Sequence, residues 1–103
     1  MIFYNWFFFV VLNNITSNDY TVLEIKCKNA PGVLYRITKI ITDLGLQINT
    51  ASVSSYGDRV VDIFYVKNAF GSKIEDDLTI EKVKMNILKN LEETDPANQM
   101  MIV

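Results

Sequence analysis

Histidine is absent from the 103 residues, cysteine occurs once and proline twice. Without histidine there is no imidazole general base, no histidine-dependent triad and none of the common zinc ligand sets. The single Cys27 excludes an intramolecular disulfide and a thiolate cluster, which fits a reducing compartment such as the cytoplasm. A positive excess is missing as well: ten basic residues stand against twelve acidic ones, for a formal net charge of -2. No long-range field therefore draws the chain to nucleic acid or to an anionic bilayer. Lys26, Lys28, Arg36 and Lys39 come nearest to a basic grouping, but they are spread over two predicted elements.

No apolar run approaches the roughly 20 residues needed to span a bilayer as a helix. The longest, Ile2 to Leu12, reads IFYNWFFFVVL and lies in an uncharged stretch of eighteen residues. It lacks the basic start and small-residue cleavage site of a secretory signal. A strand or irregular arm laid on a hydrophobic surface is the reading preferred for it over contact with a membrane.

What is present is the composition of one small globular domain, 50% hydrophobic and 21% charged. One core fits in this length and two do not. The polar joint Asn13–Asp19 separates the arm, residues 1–18, from a regular body at 19–93, with 94–103 as a tail. From Tyr20, Thr21, Leu23, Ile25 and Cys27 alternate with Glu24, Lys26 and Lys28, the pattern of a strand with one covered face. Asn29-Ala30-Pro31-Gly32 ends it, with Pro31 suited to the first helical position. Val33, Leu34, Ile37, Ile40, Ile41 and Leu44 then follow a 3.6-residue period, and Gly45 stands where a left-handed residue would end the helix.

Leu46 to Tyr56 alternates loosely, with Leu46, Ile48 and Thr50 on one side and Gln47 and Asn49 on the other. Gly57-Asp58 makes a tight turn into a strand at Arg59–Lys67, apolar on both faces except at Asp62. A second amphipathic helix is predicted over Leu78–Glu93, stopped by Asp95-Pro96, and Met100–Val103 could add a closing strand. The order β-α-β-β-α, with an optional last β, predicts a split βαβ arrangement: an antiparallel sheet carrying two helices on one face.

Few residues here carry chemistry. Glu75, Asp76 and Asp77 lack the further oxygen ligands and glycine turn of a calcium loop, and suit the positive end of the following helix better. Asp43, Asp58 and Asp62 show neither the spacing nor the apolar pocket of an acid/base pair. Cys27 reads as a small buried apolar side chain. No catalytic residue, metal site or cofactor is expected. There remains the Asn29–Gly32 junction, which by itself reads first as a helix cap and tight turn, and second as a site where a glycine permits close approach of another group and free helix-start N–H groups suit a carboxylate.

Several runs resemble the small regulatory amino-acid-binding modules called ACT domains, in particular those of the bacterial uridylyltransferase/uridylyl-removing family. They are Tyr20-Thr21-Val22-Leu23-Glu24-Ile25, Ala30-Pro31-Gly32-Val33-Leu34-Tyr35 and Leu44-Gly45-Leu46 with Ile48. The more specific ones are Ser54-Ser55-Tyr56-Gly57-Asp58 running into Val61-Asp62-Ile63-Phe64-Tyr65-Val66, followed by Phe70-Gly71 and Lys73-Ile74. The likeness covers about Val10 to Leu91 and implies a ferredoxin-like α+β fold, βαββα(β).

It also implies a glutamine or small-amino-acid sensor rather than an enzyme, placed in the cytoplasm as a fragment without that family's catalytic domains. No glycine-serine nucleotidyltransferase motif with paired aspartates and no histidine for a hydrolase is found in the chain. Asn29, Ala30, Pro31, Gly32, Val33 and Leu34 would form the ligand loop, and Asn49 would lie on a paired module, either another copy or a neighbouring ACT domain. A structural dimerisation remnant with no ligand is the alternative. Asn29 departs from the charged or aspartate residue often seen there, and the aromatic run Phe3–Phe9 departs from the family linker.

Overall fold

Alternation and helical periodicity resolve into six elements: β1 (Phe9–Asn13), β2 (Thr21–Lys28), α1 (Val33–Asp43), β3 (Gln47–Tyr56), β4 (Arg59–Lys67) and α2 (Asp77–Thr94). The computed structural model describes the backbone of residues 9–94 and side chains from Phe9 to Leu91. The proposed stop at Asp95-Pro96, the proposed strand Met100–Val103 and the start of the apolar arm lie outside the described residues.

The four strands form one antiparallel sheet in the order β1-β2-β4-β3. β2 and β3 run parallel to each other with β4 between them, so α1 is the crossover of a split βαβ unit. This is the expected ferredoxin-like α+β arrangement, with its extra strand placed before the βαββα core. β1, cut from the apolar arm, pairs Phe9 to Lys26 and Asn13 to Val22 along the outer side of β2.

The central β2–β4 pair fixes which side chains go inward. Leu23, Ile25 and Cys27 of β2 and Val60, Phe64 and Val66 of β4 turn to the same face and are buried. Val33, Ile37 and Ile41 of α1 and Val83, Ile87 and Leu91 of α2 close the core from above. Cutting Ile37 back to alanine in such packing costs on the order of 2–5 kcal/mol.

The opposite face is open, yet its apolar side chains are partly shielded. The Lys26 ammonium lies 5.6 Å from the Phe9 ring centre and that of Lys67 lies 4.8 Å from Tyr20. Tyr20 meets Tyr65 edge-on at 6.4 Å.

Two local expectations are corrected. α1 starts at Val33 rather than at Pro31, because Gly32 sits in the left-handed region at φ 77° as the residue before the first turn. Thr50 does not share a face with Ile48: a bulge at Asn49 shifts the register between Ile48↔Val66 and Thr50↔Tyr65, and inverts the alternation. Gly45, at φ 85°, does end α1. Its N–H donates to the Thr42 carbonyl (3.0 Å) and that of buried Leu46 to the Ile41 carbonyl (3.2 Å), the paired bonds of a Schellman motif. Asp76 caps α2, accepting from the Thr79 N–H (3.2 Å) and hydroxyl (2.6 Å).

A buried polar knot ties the β1–β2 connection to the segment before α2. The fully buried Thr21 hydroxyl donates to Asn14 Oδ1 (2.6 Å) and accepts from the Ile74 N–H (2.8 Å), while Asn14 Nδ2 donates to the Ile74 carbonyl (2.8 Å). Replacing Thr21 by valine keeps the shape and leaves the Ile74 N–H without an acceptor. Thr21→Val is expected to destabilise the chain by about 1–3 kcal/mol in urea titration, and an unchanged midpoint would show that the knot carries no stability.

Candidate functional site

The β2–α1 junction is built by backbone constraints. β2 ends at Lys28, and the Asn29 N–H donates to the Asp58 carbonyl at 2.7 Å, which pins the junction to the β3–β4 turn. The Val33 N–H folds back on the Ala30 carbonyl at 3.2 Å, and Arg36 donates to the Gly32 carbonyl at 3.0 Å. The N–H groups of Leu34 and Tyr35 find no acceptor among the described residues. They leave free donors at the positive end of α1.

Of the residues expected at a ligand loop, Asn29, Pro31, Gly32 and Leu34 are exposed, Ala30 is half-buried, and Val33 points into the core with only its backbone to offer. Asn49 does not join them within one chain. It occupies the bulge at the opposite end of β3, hydrogen-bonded through Nδ2 to Thr50 Oγ1 (2.9 Å). Some seven residues of strand, about 23 Å at roughly 3.3 Å each, separate that rung from the junction end.

Next to the junction, one edge of the sheet is bare among the described residues. β3 is exposed along nearly its whole length. Even Val53, which faces the helix side opposite Asp62, is 49% exposed. Leu34 of α1 and Val53 and Tyr56 of β3 are the exposed large side chains of this margin.

One acid for which the sequence showed no apolar pocket lies in one in the structure. Asp62 is turned to the helix side in register with Ile25 and Val53, is 1% exposed, and neither carboxylate oxygen has a hydrogen-bond partner among the described residues. The sequence signal was a single acid interrupting an apolar strand. Burial pushes its carboxyl above the ordinary value of 3.8. Cys27, equally hidden, is pushed up to about 11 by burial first and by the Asp62 charge second, with Arg59 acting the other way. It is a protonated thiol at neutral pH and no nucleophile. Among the described residues no group of three or more metal-ligating side chains comes together, and no helix is long and apolar enough to cross a membrane.

Comparison with known proteins agrees with this geometry. The profile of the ACR family N-terminal ACT domain matches residues 16–94. The chain belongs to the ACT domain family. Among curated proteins, the bifunctional uridylyltransferase/uridylyl-removing enzyme of Rhodospirillum rubrum is 51% identical over 65 residues, which are 63% of this chain and 7% of that enzyme. The enzymes of the same name from Azospirillum brasilense and Gluconobacter oxydans are 36% and 35% identical over 85% and 80% of this chain, in each case 9% of theirs. This ACT domain thus spans less than a tenth of the curated relatives it matches, and corresponds to a regulatory region of them. No solved structure matches it significantly.

The unpaired acid of the ACT domain has a definite pH signature. Because the folded state raises the Asp62 pKa, the folded chain holds that proton more tightly than the unfolded one. The group's contribution is complete below the unfolded value near 3.8 and is lost as pH rises through the folded value. Asp62→Asn cannot ionise, so it is expected to melt higher than the wild type at neutral pH and to flatten the fall in stability above pH 3.8. A lower melting temperature at every pH would mean that the carboxylate has a stabilising partner.

Proposed function

We propose that this ACT domain is a regulatory module that receives a small amino acid, glutamine before others, where its β2–α1 junction meets a second module added along β3. The observation that carries this reading is the bare β3 edge beside an exposed junction with free N–H donors. A ten-residue edge strand, paired only to β4 among the described residues, is a template for another strand. Antiparallel pairing of two β3 strands about a two-fold axis at Ser52 would set Asn49 of a second copy beside Ser55 of the first, at the end where Asn29 lies. A neighbouring ACT domain could take the same place. The free amides of Leu34 and Tyr35 would then meet the ligand carboxylate, and the amide side chains of Asn29 and of the second copy's Asn49 its polar end.

The relatives' name speaks of uridylyl transfer and removal, and this chain is proposed to do neither. Such transfer relies on a positioned metal, carboxylates and cations, and the acids of the described residues do not assemble that set. Incubated with a PII protein, a uridine nucleotide and magnesium, the purified chain is expected to give no modified product. Turnover above a protein-free control would overturn that part of the reading.

Gly32→Val is a poor probe of the junction, since the left-handed φ strains any branched residue even though nothing crowds its Cβ. Val53→Lys places a charge on the exposed edge instead. The wild type is expected to sediment as a dimer at tens of micromolar and to release heat on glutamine titration. Val53→Lys should be a folded monomer with affinity weaker by about tenfold or more. Equal binding by a monomeric wild type and the variant would remove the paired site. A folded wild-type dimer silent to tens of millimolar glutamine would favour a module that only dimerises.

A further inference from the structure

Asp62 lies one strand in from the β3 edge. Its register partner on that edge is Val53, and both side chains turn to the helix side. The carboxylate is fully buried while Val53 stays half in water, so a single margin of side chains separates the charge from solvent. Solvent beyond so thin a margin still stabilises an ionised carboxylate, and excluding it favours the protonated form.

The surroundings of Asp62 offer no compensating charge. Its inward neighbours on β4 are Val60 and Phe64, β2 adds Ile25 and Cys27, and both helices turn apolar stripes to the core. Thr21 is the only other buried polar side chain among the described residues. Cys27 is the one titratable neighbour; its thiol is protonated, and the Asp62 charge helps keep it so, while Arg59 of β4 acts on it in the opposite sense. The charged residues of α1, Arg36, Lys39 and Asp43, are exposed, and Lys39 pairs with Asp43 at 3.0 Å. β3 carries no charge from Gln47 to Tyr56.

We propose that pairing of a second copy along β3 takes up protons at Asp62, so that the pair tightens as the pH falls. This rests on the pairing proposed above and names how that site is regulated. In the two-fold arrangement about Ser52, Val53 lies across from Ala51 of the second copy and its exposed side is covered, yet the added strand brings no cation to Asp62. The two Asp62 carboxylates stand three strand spacings apart across the sheet, about 14 Å at roughly 4.8 Å each, and disfavour each other's ionisation. Both effects act in the direction in which burial already moves the single chain, upward from 3.8. The pair therefore binds protons more tightly than two separate chains. By linkage its advantage is lost as pH rises through the carboxyl value of the pair, and is complete below that of the single chain.

Sedimentation equilibrium of the full chain between about pH 4.5 and about pH 8, with circular dichroism to confirm the fold at each step, tests this. The wild-type dimer is expected to tighten by about tenfold or more toward the acid end. Asp62→Asn, which keeps the shape and cannot ionise, is expected to hold one affinity throughout. Dilution heats of the wild type, taken in buffers of different ionisation enthalpy in the acid half of the range, count the same protons without a variant, and should show their release as the pair dissociates. A dimer of constant affinity that releases no proton, or a pH dependence that Asp62→Asn retains, overturns proton uptake at Asp62 and leaves the pairing standing. A chain that stays monomeric at every pH overturns both.

Discussion

The antiparallel ladder between β2 and β4 is the constraint from which the other features follow. Its register, Thr21↔Val66 to Lys28↔Arg59, decides by alternation that Leu23, Ile25, Cys27, Val60, Phe64 and Val66 share one face. The helices need that face to bury their own apolar stripes, and a slip of one residue would present Glu24, Lys26 and Lys28 to them instead. The same register carries Asp62 into the core, where an ionised carboxylate has neither water nor a donor. A residue that weakens the fold in this way has to be explained by something other than packing.

β1 and β3 flank this ladder very differently. β1 is five residues long, includes the buried Val10, and lies where the knot of Asn14, Thr21 and Ile74 holds the chain down. β3 is ten residues long and exposed along nearly its whole length. An exposed edge of that length is normally blunted by charge, proline or a covering element. β3 carries none of these: from Gln47 to Tyr56 there is no charged residue and no proline. The bulge at Asn49 is its one irregularity, and it lies at the end away from the β2–α1 junction. The proposed ligand loop and the exposed strand edge therefore lie on the same side of the molecule.

Much of this was legible in the residues. The period-2 pattern of β2 and the 3.6-residue period of α1 gave two elements their faces, Gly45 gave α1 its end, and Gly57-Asp58 gave the hairpin, with positive φ at Gly57 alone as a type II′ turn requires. The bulge was not legible, because one inserted residue leaves a weakly alternating polar strand looking regular. The start of α1 was misplaced because Pro31 is as acceptable in the turn before a helix as in its first position. The identity of the second edge strand was open as well. Apolar residues on both sides of the body could have closed the sheet, and pairing to β2 is non-local.

The central claim is that β3 is a pairing edge that completes the ligand junction. Amide hydrogen exchange along β3, followed in dilute chain and again at saturating L-glutamine, tests it most directly, because unpaired strand N–H groups exchange freely and paired ones do not. The account predicts fast exchange at outward-facing amides between Ala51 and Tyr56 in the dilute chain, and strong protection there, together with Leu34 and Tyr35, when glutamine is bound. Bound glutamine with β3 exchange unchanged would contradict it.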